Sequence, residues 1–284
     1  MKKILVILCI CMVCFCDIAL AAKQIKPNTE EMICSINSET EYWAVIVCTN
    51  TTNITSIYNS IINKSNWNES HIILLKREQA TKENILDALE WLSINTGSQD
   101  IILFSYTGHG TYTGIFNDRK YGIVPWDHNL ILTDELDEKL DQIKCKYQCL
   151  FFDCCLSGNF VGRNFLFFSS ILDEENRVIL MSTQRRGAGF TAAVIVGDEE
   201  VNVINFERFV SEAFQKGIDK NSDGWVSAEE AFSYGKKKFR PYAIIFFFFI
   251  PLQIQSFIQS RGFLLIPFPK IYDGVEGDLP LVKI

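Results

Sequence analysis

His109 stands between two glycines in residues 100–110 (DIILFSYTGHG), and the paired cysteines Cys154 and Cys155 stand in residues 149–158 (CLFFDCCLSG). The two stretches have one shape: a short apolar run that breaks at turn residues. The breaks are Gly108 and Gly110 in the first stretch, Ser157 and Gly158 in the second. Apolar runs of this length bounded by turn signals read as buried strands. In a parallel α/β sheet, chemistry collects at the carboxyl ends of strands. One strand end therefore offers an imidazole base and another a thiol. A cysteine attacks as the thiolate, whose pKa falls beside a cationic histidine or a helix N-terminus. The imidazole keeps the proton and later returns it to a leaving amine. Taken singly, His109 is a loop histidine and Cys155 a small buried hydrophobe. Their order and strand context make the pair a catalytic candidate. The remaining histidines, His71 and His128, match no motif.

A second kind of chemistry is written in residues 219–230 (DKNSDGWVSAEE). Asp219, Asn221, Asp223, Gly224 and Glu230 fall at positions 1, 3, 5, 6 and 12 of an EF-hand loop. Oxygen ligands at alternate positions wrap a hard cation, and the glycine permits the sharp turn. Trp225 would add a backbone carbonyl, Ser227 a side-chain or water-mediated ligand, and Glu230 two oxygens. The expected ion is Ca2+, in a structural role. Ser227 and Glu230 also spell a helix capping box, but a capping box has no use for Asp219, Asn221 or Asp223.

YTGHG followed by FFDCCLSG resembles the caspase and metacaspase group of cysteine peptidases, within the clan that also holds legumain. His109 precedes Cys155 by 46 residues, close to the caspase-type spacing of about 50. The group's nucleophile motif is Asp, a small residue, Cys, any residue, Ser, Gly. Laid on residues 153–158, it makes Cys155 the nucleophile and Cys154 the small residue. The resemblance runs from about Tyr42 onward. It implies an oxyanion site formed by the backbone N–H groups of Gly110 and Cys155, and glycines beside His109 let the backbone approach closely. It also implies that Asp153 binds a basic residue before the cut, hence cleavage after Arg or Lys; by itself Asp153 reads as an aspartate satisfying turn amides. The single calcium loop resembles those of secreted bacterial and archaeal caspase-like proteins. Two departures stand out. The acidic segment usual after the first strand is replaced by residues 49–56, and Cys154 beside the nucleophile could form a vicinal disulfide with it.

The elements that must position these groups are legible as alternating strands and helices. Residues 42–48, 71–75, 100–106, 149–153 and 177–182 read as strands. A helix capped by Thr81 carries Ile85, Leu86, Leu89 and Leu92 on one face. Residues 133–144 read as a helix with Thr133 as N-cap, and Phe206, Phe209, Val210, Ala213 and Phe214 mark a helix ending near Gly217. Alternation argues for an α/β fold with a mostly parallel, caspase-like sheet flanked by helices on both faces. Residues 242–252, with four consecutive phenylalanines, fit neither the family nor a membrane span; residues 269–281 resemble the family's last strand region.

Residues 1–22 read as a signal peptide: Lys2 and Lys3, then an apolar run, then Ala19-Leu20-Ala21. The run is shorter than the ~20 residues of a membrane span, so no stable span is expected after cleavage; an uncleaved anchor is the alternative. Residues 23–284 then form one secreted or extracytoplasmic peptidase domain. Net charge is −7, which gives a nucleic-acid surface no electrostatic support. Ten cysteines are present and four leave with the leader; the other six allow many disulfide pairings, and zinc at Cys145 and Cys149 with Cys154 and Cys155 lacks a nearby histidine and would need Cys149 out of its strand. Four N-x-S/T sequons, at Asn50, Asn53, Asn63 and Asn68, suit an Asn-rich segment as readily as glycosylation. The sequence thus points to an endopeptidase acting on peptide or protein substrates, with a catalytically silent calcium-binding protein of the same fold as the alternative. It leaves the oligomeric state open.

Overall fold

In the computed structural model, the described residues are 5–7, 40–50, 56–115, 119–162, 172–189, 192–196, 199–249, 255–256, 259, 264 and 266–284. In chain order the elements are β1 (Leu5–Ile7), β2 (Tyr42–Cys48), α1 (Ser56–Ile61), β3 (Ile72–Lys76), α2 (Lys82–Asn95), β4 (Ile101–Thr107), β5 (His109–Thr113), β6 (Lys120–Val124), β7 (Ile131–Leu132), α3 (Thr133–Asp141), β8 (Tyr147–Asp153), β9 (Arg177–Met181), β10 (Ala192–Val196), β11 (Glu199–Ile204), α4 (Phe206–Lys216), β12 (Trp225–Ser227), α5 (Ala228–Phe249), β13 (Lys270–Asp273) and β14 (Pro280–Lys283).

The main sheet has six strands in the order β13-β9-β8-β4-β2-β3. Five run parallel, and β13 closes one edge antiparallel to β9. This is the mostly parallel α/β sheet that the caspase resemblance implies. β2 pairs with β3 on one side and β4 on the other, so the strand order reverses there and the carboxyl ends open a crevice. The β4–β8 register sets Thr107 opposite Asp153. These residues stand two before His109 and two before Cys155, so both candidates leave neighbouring strands at one level.

Alternation along each strand divides the core in two. Tyr42, Ala44, Ile46, Leu103, Phe151 and Leu180 pack with α1, α4 and α5. Trp43, Val45, Val47, Phe104, Phe152 and Met181 pack with α2 and α3 on the other face. The strands read as continuous apolar runs because both faces are covered. Thr81 caps α2 by accepting from the N–H of Asn84. Gly217 ends α4 with φ +62°, the left-handed conformation that favours glycine.

Two sequence expectations are corrected, and one run that the sequence left without an account is placed. Thr133 does not cap α3; it lies inside the helix, is buried, and follows Leu132 as N-cap, because Ile131 and Leu132 are taken up in pairing with β6. The same helix ends at Asp141 rather than near 144, since the following turn delivers the N–H of Lys146 to the carbonyl of Asp100. The phenylalanine-rich run, at least to Phe249, completes α5 and has Pro241 inside that helix. No described helix is long and apolar enough to cross a membrane. Of residues 1–22, only Leu5–Ile7 is described, antiparallel to β10; the rest of residues 1–22, Cys34 and Asn53 lie outside the described residues.

Candidate active site

His109 is set by a tight turn after β4. A Cβ on Gly108 would fall 2.0 Å from Thr49 Oγ1 and 2.6 Å from the Tyr106 hydroxyl, so glycine is required by space. The buried Tyr106 hydroxyl lies 2.9 Å from the His109 carbonyl oxygen and 2.8 Å from that of Val124. Burial holds its pKa well above the phenol range, which keeps it a neutral donor. The β5–β6 pairing aligns His109 with Val124. His109 is exposed as a residue, yet burial of its imidazole, and then His128, push its pKa below the ordinary value.

The cysteines part company at the end of β8. Cys154 turns into the core on the α2–α3 face and is 2% exposed; Cys155 is half-buried. Leu156 takes φ +62°, and its N–H donates to the Gly187 carbonyl at 2.9 Å. The N–H of Gly189 donates to Cys155 Sγ at 3.0 Å. Gly110 lies directly against this turn: a Cβ there would be 2.1 Å from the Cys155 carbonyl oxygen and 3.0 Å from Cys154 Sγ. The histidine turn and the cysteine turn are therefore packed backbone to backbone. Both cysteines are free, with no vicinal disulfide, as are Cys145 and Cys149.

Electrostatics at the pair differ from the sequence expectation of a resting thiolate held by a cationic histidine. Burial, and then the charge of Asp153, push Cys155 up, against the opposing N–H of Gly189. With His109 pushed down, the uncharged thiol and imidazole are the favoured resting forms. A cleft of about 470 Å³ lined by Lys82, Glu83, Leu86, Asp127, Asn129 and Leu130 contains none of these residues.

Asp153 is 7% exposed, and its carboxylate is already engaged. Oδ2 accepts the N–H of Glu207 at 2.8 Å, at the start of α4. Burial raises its pKa to about 6, while the bonds from Glu207, Ser182 and Phe206 oppose that rise. Glu207 is the neighbour the sequence did not disclose. It is 1% exposed, accepts the Ile57 N–H at 3.0 Å and the Thr107 hydroxyl at 2.7 Å, and is pushed to about 7 by burial. Only its place in the first turn of an apolar-faced helix was visible in the sequence. Gly189 was equally silent.

The loop of residues 219–230 has the expected path, with Gly224 at φ +88°. Asp219 accepts the N–H groups of Ser222, Asp223 and Gly224 at 2.6, 3.3 and 3.0 Å. Asp223 accepts that of Trp225 at 2.9 Å. Glu230 accepts the N–H groups of Lys220 and Ser227 at 2.6 and 3.1 Å, and its own N–H donates to Ser227 Oγ at 3.1 Å. Asn221 Nδ2 bridges Asp223 and Asp278 at 3.0 and 3.1 Å; Asp278 is a neighbour the spacing did not foretell. The donor set suits a hard cation in type. Among the described residues, however, no three His, Cys, Asp or Glu side chains gather closely enough to hold a metal.

Residues 29–163 match the family model of the metacaspase, peptidase C14 domain. Over that stretch, just under half of its length, the chain resembles metacaspases. It is 26% identical over 195 residues to metacaspase-4 of Arabidopsis thaliana, covering 64% of this chain and 41% of that protein. It is 23% identical over 232 residues to inactive metacaspase-4 of Trypanosoma brucei brucei, covering 72% of this chain and 62% of that protein. The metacaspase-like chain thus matches less than two thirds of the length of these relatives. Among solved structures it superposes on a protein from Geobacter sulfurreducens with a TM-score of 0.51 at 14% identity, over 86% of this chain and 97% of that one. That likeness concerns the fold alone.

Proposed function

We propose that the protein is an exported cysteine endopeptidase in which Cys155 is the nucleophile and His109 the general base, cutting after Arg or Lys. The observation that carries this reading is the contact of Gly110 with Cys155, which brings a histidine turn and a half-exposed thiol to one strand-end crevice. The Cys155 thiol gives its proton to His109 as Sγ bonds to the scissile carbonyl carbon. The oxyanion that develops takes the N–H groups of Gly110 and Cys155. Collapse releases the amine, protonated by His109, and leaves a thioester. Water, deprotonated by the same imidazole, then hydrolyses the thioester and frees Cys155. The uncharged resting pair suits this sequence, in which charge separates only when substrate has displaced water.

The preference for Arg or Lys rests on the position of Asp153 two residues before Cys155 and on the family resemblance. Export rests on the leader pattern of residues 1–22. A structural Ca2+ in residues 219–230 rests on donor types and on the turn at Gly224. The alternative, a catalytically silent protein of this fold, draws on the inactive relative; intact His109 and Cys155 favour the enzyme. Turnover of short Arg and Lys peptides tests the proposal. Cleavage lost in Cys155→Ala is the expected result; no turnover by the wild type favours the silent reading. N-terminal sequencing of exported protein tests the leader.

A further inference from the structure

Glu207 makes three bonds that meet at the crevice. Its N–H donates to Asp153 Oδ2 at 2.8 Å, two residues before Cys155. Its Oε2 accepts the Thr107 hydroxyl at 2.7 Å, two residues before His109. Its Oε1 accepts the N–H of Ile57 near the start of α1, at 3.0 Å. A further bond, from the N–H of Gly108 to the carbonyl of Asp153 at 3.2 Å, joins the two strand ends directly. Asn205 fixes the base of this arrangement by capping α4 through the N–H of Arg208 at 3.0 Å. The side chain is 1% exposed, and among the described residues neither Glu207 nor Asp153 has an ion-pair partner. A buried carboxylate without a counter-charge is costly, and a second carboxylate beside it adds to that cost.

We infer that Glu207 is a positioning residue: it clamps the His109-bearing end of β4 and the Cys155-bearing end of β8 to the first turn of α4 and so sets the register of the catalytic pair. The inference rests on the peptidase reading for its kinetic consequence, though not for its geometry. The relevant chemistry is acceptance at two oxygens at once. The Ile57 N–H needs an acceptor, whereas the Thr107 hydroxyl can donate or accept. Glutamine therefore preserves both links, its Oε1 facing Ile57 and its Nε2 donating to Thr107. Alanine removes both and leaves only the main-chain N–H bond to Asp153, so the β4 end is released from α4 while the β8 end stays tied.

The test compares the wild type with Glu207→Ala, Glu207→Gln and Thr107→Val. Two readouts are used: steady-state kinetics on an Arg peptide, and the rate at which iodoacetamide alkylates Cys155 with His109 present or changed to Ala. A clamp predicts that Glu207→Ala lowers kcat at least tenfold with KM within about twofold, and removes the dependence of Cys155 alkylation on His109. Glu207→Gln restores both to within about threefold of the wild type. Thr107→Val, which cuts only the link to the histidine strand, gives the same kcat loss in smaller measure and serves if the alanine variant does not fold. A folded Glu207→Ala with unchanged kcat and unchanged His109-dependent alkylation overturns the clamp; so does a loss confined to KM. A wild type without turnover but with His109-dependent alkylation overturns the peptidase reading and leaves the clamp standing.

Discussion

The strand-end crevice and the loop of residues 219–230 use one device in two settings. In both, carboxylates accept backbone N–H groups. Asp219 and Asp223 do so at the half-exposed and exposed positions of a single loop, which Glu230 closes from a buried one. Asp153 and Glu207 do so while buried, and both are pushed up, to about 6 and about 7. The first arrangement organises a loop from within. The second ties β4 and α1 to α4 by bonds that span 100 and 150 residues of sequence. The two settings are the ends of one helix: α4 starts at the crevice and stops at Gly217, two residues before Asp219. The lesson is that burial, and not clustering in sequence, raises a carboxylate: Glu229 within this loop is pushed to about 7 by burial, as Glu207 is in the crevice.

The largest effect that would sharpen the contrast concerns the crevice. Cys155→Ala is expected to lower turnover by at least ~10³-fold, while Cys154→Ser keeps it within several-fold. The second substitution should cost ~1–3 kcal/mol of stability, because a hydroxyl replaces a thiol in an apolar site. The reverse pattern in kinetic assays would show that the nucleophile motif is misaligned.

Next is Asp153. Asp153→Asn should lower kcat/KM for Arg peptides by about tenfold or more, since a charge-assisted bond is worth more than a neutral one. Wild-type cleavage after aspartate in the same peptide series would end the specificity reading.

A subtler effect comes from pH. The folded pKa of Glu207 lies above its unfolded value, so the folded state binds more protons and stability falls as pH rises from about 4.5 toward about 7. Glu207→Gln has no proton to lose. It should raise the melting temperature relative to the wild type at pH 8 and lose that advantage near pH 4. Melts at the two pH values check this; an advantage that does not change with pH would mean that burial does not raise Glu207 above its unfolded value.

The smallest effect belongs to the loop. Ca2+ at millimolar concentration should raise the melting temperature by a few degrees through mass action, and Asp223→Ala should remove the rise. Because α4 joins the two regions, a change in kcat accompanying that shift is also measurable. No shift in the melt with EGTA against Ca2+ would remove the metal site.

Much of this was legible in the sequence, for reasons that particular residues make plain. β2 was read at its full extent because Tyr42–Cys48 is buried on both faces and so is apolar throughout. Cys154 and Cys155 were separated by the motif alone, and the structure sends one inward and leaves the other half-exposed. The β5–β6–β7 sheet was not seen. Its strands are short, partly exposed, and defined by pairing with one another rather than by an apolar run. Glu207 was hidden for a different reason. A glutamate in the first turn of a helix is ordinary by the helix dipole, and nothing local tells that Thr107 and Ile57 will meet it. Gly189 was equally silent, because its N–H matters only after the chain returns to Cys155.

The most direct test of the account is a peptide probe that carries arginine and a thiol-alkylating group, with the modified residue mapped by mass spectrometry. The account predicts labelling at Cys155, slowed at least tenfold in His109→Ala and blocked by excess Arg peptide. Labelling at Cys154 or Cys145, or labelling of Cys155 at the same rate without His109, would contradict it.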